Sequence, residues 1–280
     1  MGVQGNTLGA CYTVLGFKSI PFSITPDTAL AFPGDQYVRA YHQLHYASMN
    51  GSLAVLSAEI GLGKTLVVRC LIRALPANVK VAYVLNPLLG GEALLREIYS
   101  EFNGGAAPPA GTDSNLNQLL VQKILQGAGQ GHKHVVIVDE AHRLSADALE
   151  VLRLLSNLET EHTKLISLVL VGQPELEKTL GMRSMRPLRE RIAIWQRLQP
   201  MSRVECAAYV RHRIAQTHSD GQFGFTDAAL ASLHWRTKGV PRRINLVGER
   251  AILLACAQKT RRITWGMVWE ASNEFSKAWK

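Results

Sequence analysis

Ser57-Ala58-Glu59-Ile60-Gly61-Leu62-Gly63-Lys64-Thr65 and, some 75 residues further on, His134-Val135-Val136-Ile137-Val138-Asp139-Glu140-Ala141 decide how this chain folds. The first run follows an apolar stretch, Leu53 to Leu56, and leads into a helical one, Leu66 to Leu75, so it reads as a Gly-rich turn between strand and helix. There, backbone N–H groups converge on an anion at a helix N-terminus. Gly61 and Gly63 allow an approach that a Cβ would block, and Ile60, Leu62 and Leu66 contribute backbone to the same cradle. Lys64 brings a point charge to the β- and γ-phosphates, and the Thr65 hydroxyl is a ligand for Mg²⁺. The usual pattern G-x-x-x-x-G-K-[ST] opens with Gly; Ala58 holds that position here and fits it only at a negative φ. In the second run an apolar strand delivers two adjacent carboxylates at its end, where parallel sheets hold their ligands. Asp139 is expected in the magnesium shell, and Glu140 is expected to polarise the attacking water. Together, in this order and at this spacing, the two runs imply hydrolysis of a nucleoside triphosphate with Mg²⁺. Asp139-Glu140-Ala141-His142 also spells the box of a large helicase class, but those enzymes need two motor cores, and one phosphate loop in 280 residues supplies one.

With 280 residues, 47% of them apolar, the chain can bury a sizeable core in one motor domain plus a smaller one. No apolar run approaches the roughly 18 residues that cross a bilayer. No signal peptide is expected, since neither a basic start nor an apolar stretch precedes Leu8-Gly9-Ala10-Cys11. The four cysteines are scattered without a C-x-x-C pair, which points to reduced thiols in a cytoplasmic protein. Charge is uneven. Residues 181–280 carry 18 Lys/Arg against 7 Asp/Glu, whereas residues 1–180 carry 13 against 15. The C-terminal third therefore faces anions: ATP, a duplex DNA backbone, an acidic protein or an anionic membrane surface. A solvated arginine-rich helical surface accounts for the same composition. Arg211, Arg213, Arg236, Arg261 and Arg262 have no partner assigned from sequence.

Four more short apolar runs follow the phosphate-loop strand: Val79 to Leu85, Val135 to Val138, Leu165 to Val171 and Ala193 to Leu198. Helical periodicity lies between them, as in Ala148, Leu149, Leu152, Leu155 and Leu158, so the fold class is α/β with a parallel β-sheet core flanked by helices. After Ser202 the strand signals stop. Ser202 with Glu205 spells a capping box, Thr226 caps a second helix that Gly239 ends, Pro241 opens a third, and Thr264 caps a fourth. Residues 1–201 are thus read as an N-terminal segment plus the nucleotide-binding α/β domain, and residues 202–280 as an all-helical lid.

This outline resembles the AAA+ superfamily, a P-loop fold, and more narrowly the bacterial ATPases of the ExeA/GspA and MshM type. The matching strings are Pro21-Phe22-Ser23-Ile24-Thr25-Pro26-Asp27, Leu85-Asn86-Pro87, Leu152-Arg153-Leu154-Leu155-Ser156-Asn157-Leu158-Glu159-Thr160, Gly172-Gln173-Pro174-Glu175-Leu176 and Gly239-Val240-Pro241-Arg242-Arg243-Ile244-Asn245. The resemblance implies that Gln173 is a sensor beside the γ-phosphate and that Arg242 is a lid cation riding on the phosphates. It further implies that Arg191, or else Arg186, is a finger donated to the ATP of an adjacent subunit, which requires a homo-oligomer, ring or filament. A chain ending after one lid is closer in plan to the MshM type than to the ExeA type.

Two jobs follow. One is an assembly ATPase acting on a partner protein of a pilus or secretion machine; the other is a transposition regulator that assembles on duplex DNA and recruits a transposase. Envelope assembly is preferred on Asn157-Leu158-Glu159-Thr160 and the Pro-Phe string, while the basic third speaks for DNA. The irregular phosphate loop also leaves open a nucleotide-gated switch without turnover.

Overall fold

The computed structural model describes residues 11–85, 90–109, 111, 115–161, 163–275 and 279. Five strands, β1 (Leu53–Ser57), β2 (Val79–Val84), β3 (Lys133–Val138), β4 (Ile166–Gly172) and β5 (Ile192–Arg197), pair in the order β2-β3-β4-β1-β5. Every pairing is parallel. The three inner strands are apolar because both faces of the sheet are covered: β1 and β4 are buried at every position, and β3 at all but its first. Val136, Val138, Leu168 and Leu170 share one core with Leu94 and Ile98 from helix Gly91–Phe102 and with Leu149 and Leu152 from helix Ala146–Leu155. The five expected strands are all present. The string Leu85-Asn86-Pro87 falls partly outside the described residues.

The chain forms two compact units. One gathers Gln36–Ile60 and Val67–Leu198 and contains the sheet; the other gathers Met1–Asp35, Gly61–Leu66 and Gln199–Lys280. In the second unit the helices are Arg203–Thr217, Asp227–Thr237, Pro241–Ala257 and Trp265–Asn273. Ser202 and Glu205 make both bonds of the capping box, and the Thr226 hydroxyl accepts from the Ala229 N–H. Thr264 occupies its cap position without a side-chain bond. An all-helical lid needs one correction: Gly224–Phe225 and Arg262–Ile263 pair as a short parallel ladder. Two residues per strand are too few to show an alternation in sequence.

Four of the five unassigned arginines also need correcting. Arg213 is buried, and its guanidinium donates to the carbonyls of Pro21 (2.5 Å), Ser23 (3.2 Å) and Leu30 (3.4 Å). This ties the Pro-Phe string to the helix Arg203–Thr217, and Asn245 adds a bond to the Ser23 carbonyl at 3.2 Å. Phe22 packs where Gly248 has no side chain: a Cβ there would sit 2.9 Å from its ring. Arg211 pairs with Asp227, Arg261 with Asp220, and Arg236 bonds Ser272 and Asn273 beneath a pair of stacked tryptophans, Trp235 and Trp269.

Candidate nucleotide site

The phosphate loop continues from the carboxyl end of β1. Ala58, whose N–H donates to the Gly172 carbonyl at 3.1 Å, is not among the residues with positive φ, so the departure from Gly costs no backbone strain. Gly61 (φ 82°) and Gly63 (φ 95°) both take left-handed backbone, which β-carbons disfavour and which turns successive N–H groups to one side. The helix Lys64–Ala74 begins directly after, with Lys64 buried. Within the same compact unit, the Arg242 N–H donates to the Gly61 carbonyl at 3.1 Å. A Cβ on Gly61 would lie 2.8 Å from the Arg242 Cβ, so this glycine also makes room for the helix that Pro241 opens. These residues fit a phosphate group: an N-terminal cluster of backbone donors, a buried lysine, a hydroxyl at Thr65 and an arginine on the loop itself.

The carboxylates follow β3 in the unit that holds the sheet. Asp139 is buried and gripped at both oxygens: Tyr83 donates its hydroxyl to Oδ2 at 3.1 Å, and the Glu140 N–H donates to Oδ1 at 2.9 Å. Burial, and then the negative charge of Asp139, push the Tyr83 phenol well above its ordinary range, so it stays a donor. A carboxylate fixed in this way suits a hard cation such as Mg²⁺. Glu140 has φ 54° and ψ 31°, left-handed backbone in a non-glycine residue. That turn starts the 3₁₀ segment Ala141–Arg143 and brings His142 back toward Glu140. The Gln173 amide, at the end of β4, lies 3.5 Å from Glu140 Oε2 and 3.0 Å from His142 Nε2, while His142 Nε2 is 3.7 Å from the same carboxylate.

Glu140 and Gln173 are thus neighbours. Arg191 is not near them. Arg191 immediately precedes β5, whose first residue pairs with Leu53, the first of β1, so it stands at the amino ends of the strands, where it lines a cleft with Asn50, Ser52 and Lys164. Arg186 is exposed and 3.6 Å from Glu190. Reading the sequence did not assign His142 or Tyr83 to the site. The signal for His142 was its place three residues after Asp139. Tyr83 gave none, being one aromatic in an apolar run.

Comparison with known proteins bears on the family and the fold. The AAA domain family matches residues 47–180. General secretion pathway protein A of Aeromonas hydrophila is 38% identical over 262 residues, covering 93% of this chain and 48% of that protein, so the chain spans about half the length of this curated relative. Among solved structures, Cdc6p from Pyrobaculum aerophilum superposes with a TM-score of 0.73 at 17% identity, over 92% of this chain and 72% of that one. The RuvB Holliday junction branch migration motor of Thermotoga maritima gives 0.56 at 20% identity, over 86% and 70%. At these identities the two structures speak for the fold.

Proposed function

The chain belongs to the AAA+ ATPase family, and on that premise we propose that it binds ATP with Mg²⁺ and hydrolyses it as an oligomer, serving as a cytoplasmic assembly factor for a pilus or secretion machine. The observation that carries hydrolysis, rather than binding alone, is the meeting of Glu140 with Gln173 at the carboxyl ends of β3 and β4. A carboxylate beside an amide can take a proton from water and orient the same water. Backbone N–H groups from Ile60 to Leu66 and the Lys64 ammonium hold the phosphates, and Arg242 adds charge from the lid. Thr65 on the phosphate loop and Asp139 after β3 are the residues that would each offer an oxygen to Mg²⁺, whose charge would offset that of the phosphate oxygens. Support for an envelope role is the 38% identity to a general secretion pathway protein. The DNA reading is weakened at Arg213, which is buried on backbone carbonyls, while Arg211, Arg236 and Arg261 are bonded within the lid. Among the described residues no helix is long and apolar enough to cross a membrane.

Two variants test the hydrolytic reading. Lys64→Ala is expected to lose ATP affinity in an equilibrium titration. Glu140→Gln is expected to keep that affinity and turn over at least ~10²-fold slower, the lower end of what a general base contributes. Undiminished turnover in Glu140→Gln contradicts the assignment.

A further inference from the structure

We propose that His142 is a positioning residue for hydrolysis, holding the Gln173 amide so that it in turn braces Glu140; the inference rests on the hydrolytic reading above. The imidazole is nearly enclosed, its side chain 13% exposed against 39% for Glu140, so its orientation is fixed by the fold. Three features put it there. Left-handed backbone at Glu140 reverses the chain. The 3₁₀ turn then carries the ring over the end of β4. Gly172 lets that turn come close, since a Cβ on it would stand 3.1 Å from the His142 backbone nitrogen.

The ring faces Gln173 twice: Nδ1 is 3.4 Å from the backbone N–H, and Nε2 is 3.0 Å from the side-chain amide. A neutral imidazole accepts through one nitrogen only. The shorter contact is to Nε2; with that nitrogen as the acceptor Nδ1 carries the proton, and the Gln173 backbone N–H, 3.4 Å away, gives up its acceptor there. Nε2 accepts one proton of the Gln173 amide, and the second proton of that amide points to Glu140 Oε2 at 3.5 Å. The amide is therefore a bridge with one firm end on the ring and a longer end on the carboxylate. Without the ring acceptor, the Gln173 side chain regains its rotamers and Glu140 loses its brace, and neither group touches the phosphate-holding residues through His142. Loss of His142 thus separates turnover from binding.

The test compares wild type, Glu140→Gln, His142→Ala, His142→Leu and His142→Asn by kcat, KM, equilibrium ATP affinity and melting temperature. Leu fills the ring's space without an acceptor, whereas Asn offers its Oδ1 to the amide. His142→Ala and His142→Leu are expected to lower kcat about 10- to 100-fold, the scale of a misplaced reacting group, with ATP affinity within about twofold of wild type. His142→Asn is expected to recover most of the loss. Wild-type kcat in His142→Leu, alongside an inactive Glu140→Gln, overturns the role of His142 and leaves the hydrolytic reading standing. Equal loss of kcat and melting temperature in all three His142 variants, with no recovery in Asn, also overturns it, since that outcome belongs to a packing residue. Undiminished turnover in Glu140→Gln removes the hydrolytic reading itself.

Discussion

At Glu140 the backbone and the side chain make opposite demands. Its φ of 54° lies in the region that costs a residue with a Cβ about 1–2 kcal/mol relative to glycine. Glu140→Gly is therefore expected to be about 1 kcal/mol more stable than Glu140→Ala in urea unfolding, although both lack the carboxylate and neither turns over ATP. Equal stability of the two means that the turn is not strained. His134 shows a different tension. It is buried at the start of β3 against Phe102 and Gly127, and its Nδ1 has no hydrogen-bond partner. Burial, with further lowering by His132, Lys80 and Lys123, brings its pKa down to about 4. Because the folded value lies below the unfolded one of about 6.5, unfolding takes up a proton. The contribution is full above pH 6.5 and is lost as pH falls toward 4, by up to about 3 kcal/mol. His134→Leu is expected to remove that slope while leaving stability at pH 7 within about 1 kcal/mol, since an unpaired buried nitrogen is replaced by an apolar group. An unchanged slope in the variant assigns the acid sensitivity elsewhere.

At the scale of elements, legibility followed the length of the signal. β1 and β3 were readable because four or five consecutive apolar residues end at a turn or at a carboxylate pair, and helix Ala146–Leu155 because Ala148, Leu149, Leu152 and Leu155 fall on one face. Ser202 and Glu205 announce their helix through side chains that bond only locally. What escaped was non-local. The ladder of Gly224–Phe225 with Arg262–Ile263 joins segments almost 40 residues apart and has no period. The brace on Glu140 depends on where a 3₁₀ turn meets the end of β4. Arg213 looked like one more surface cation, because nothing in its own helix shows that three carbonyls from residues 21–30 converge on it. Burying a guanidinium is tolerable only with such partners. Arg213→Leu leaves those carbonyls unpaired and is expected to cost about 3 kcal/mol or more in unfolding free energy, with faster hydrogen exchange at residues 22–30. Wild-type protection of that segment in the variant shows that the Pro-Phe string is held by Phe22 and Asn245 without the arginine.

For the whole molecule, the decisive point is that the proposed finger and the proposed base lie at opposite ends of one sheet. Arg191 comes before the first residue of β5, in register with the start of β1, whereas Glu140 follows the last residue of β3. A strand of six residues, as β3 is, rises about 20 Å, far beyond the ~7 Å of an extended arginine side chain set by bond lengths like those of the backbone. Arg191 therefore cannot serve the water that Glu140 of its own chain activates; if it acts on ATP at all, it acts on that of another copy. An arginine supplied in trans contributes about 10³- to 10⁵-fold in related phosphoryl transfers. Specific ATPase activity is accordingly expected to rise with protein concentration and to level off once assembly is complete. Arg191→Ala is expected to flatten that rise at the low value while retaining ATP affinity, and mixing Arg191→Ala with Glu140→Gln is expected to restore part of it, because the mixed interface joins an intact finger to an intact base. Sedimentation run beside the assays separates failure to assemble from failure to catalyse. Constant specific activity across the range in which the protein passes from monomer to oligomer, or no recovery in a mixture that demonstrably co-assembles, removes Arg191 from the reaction.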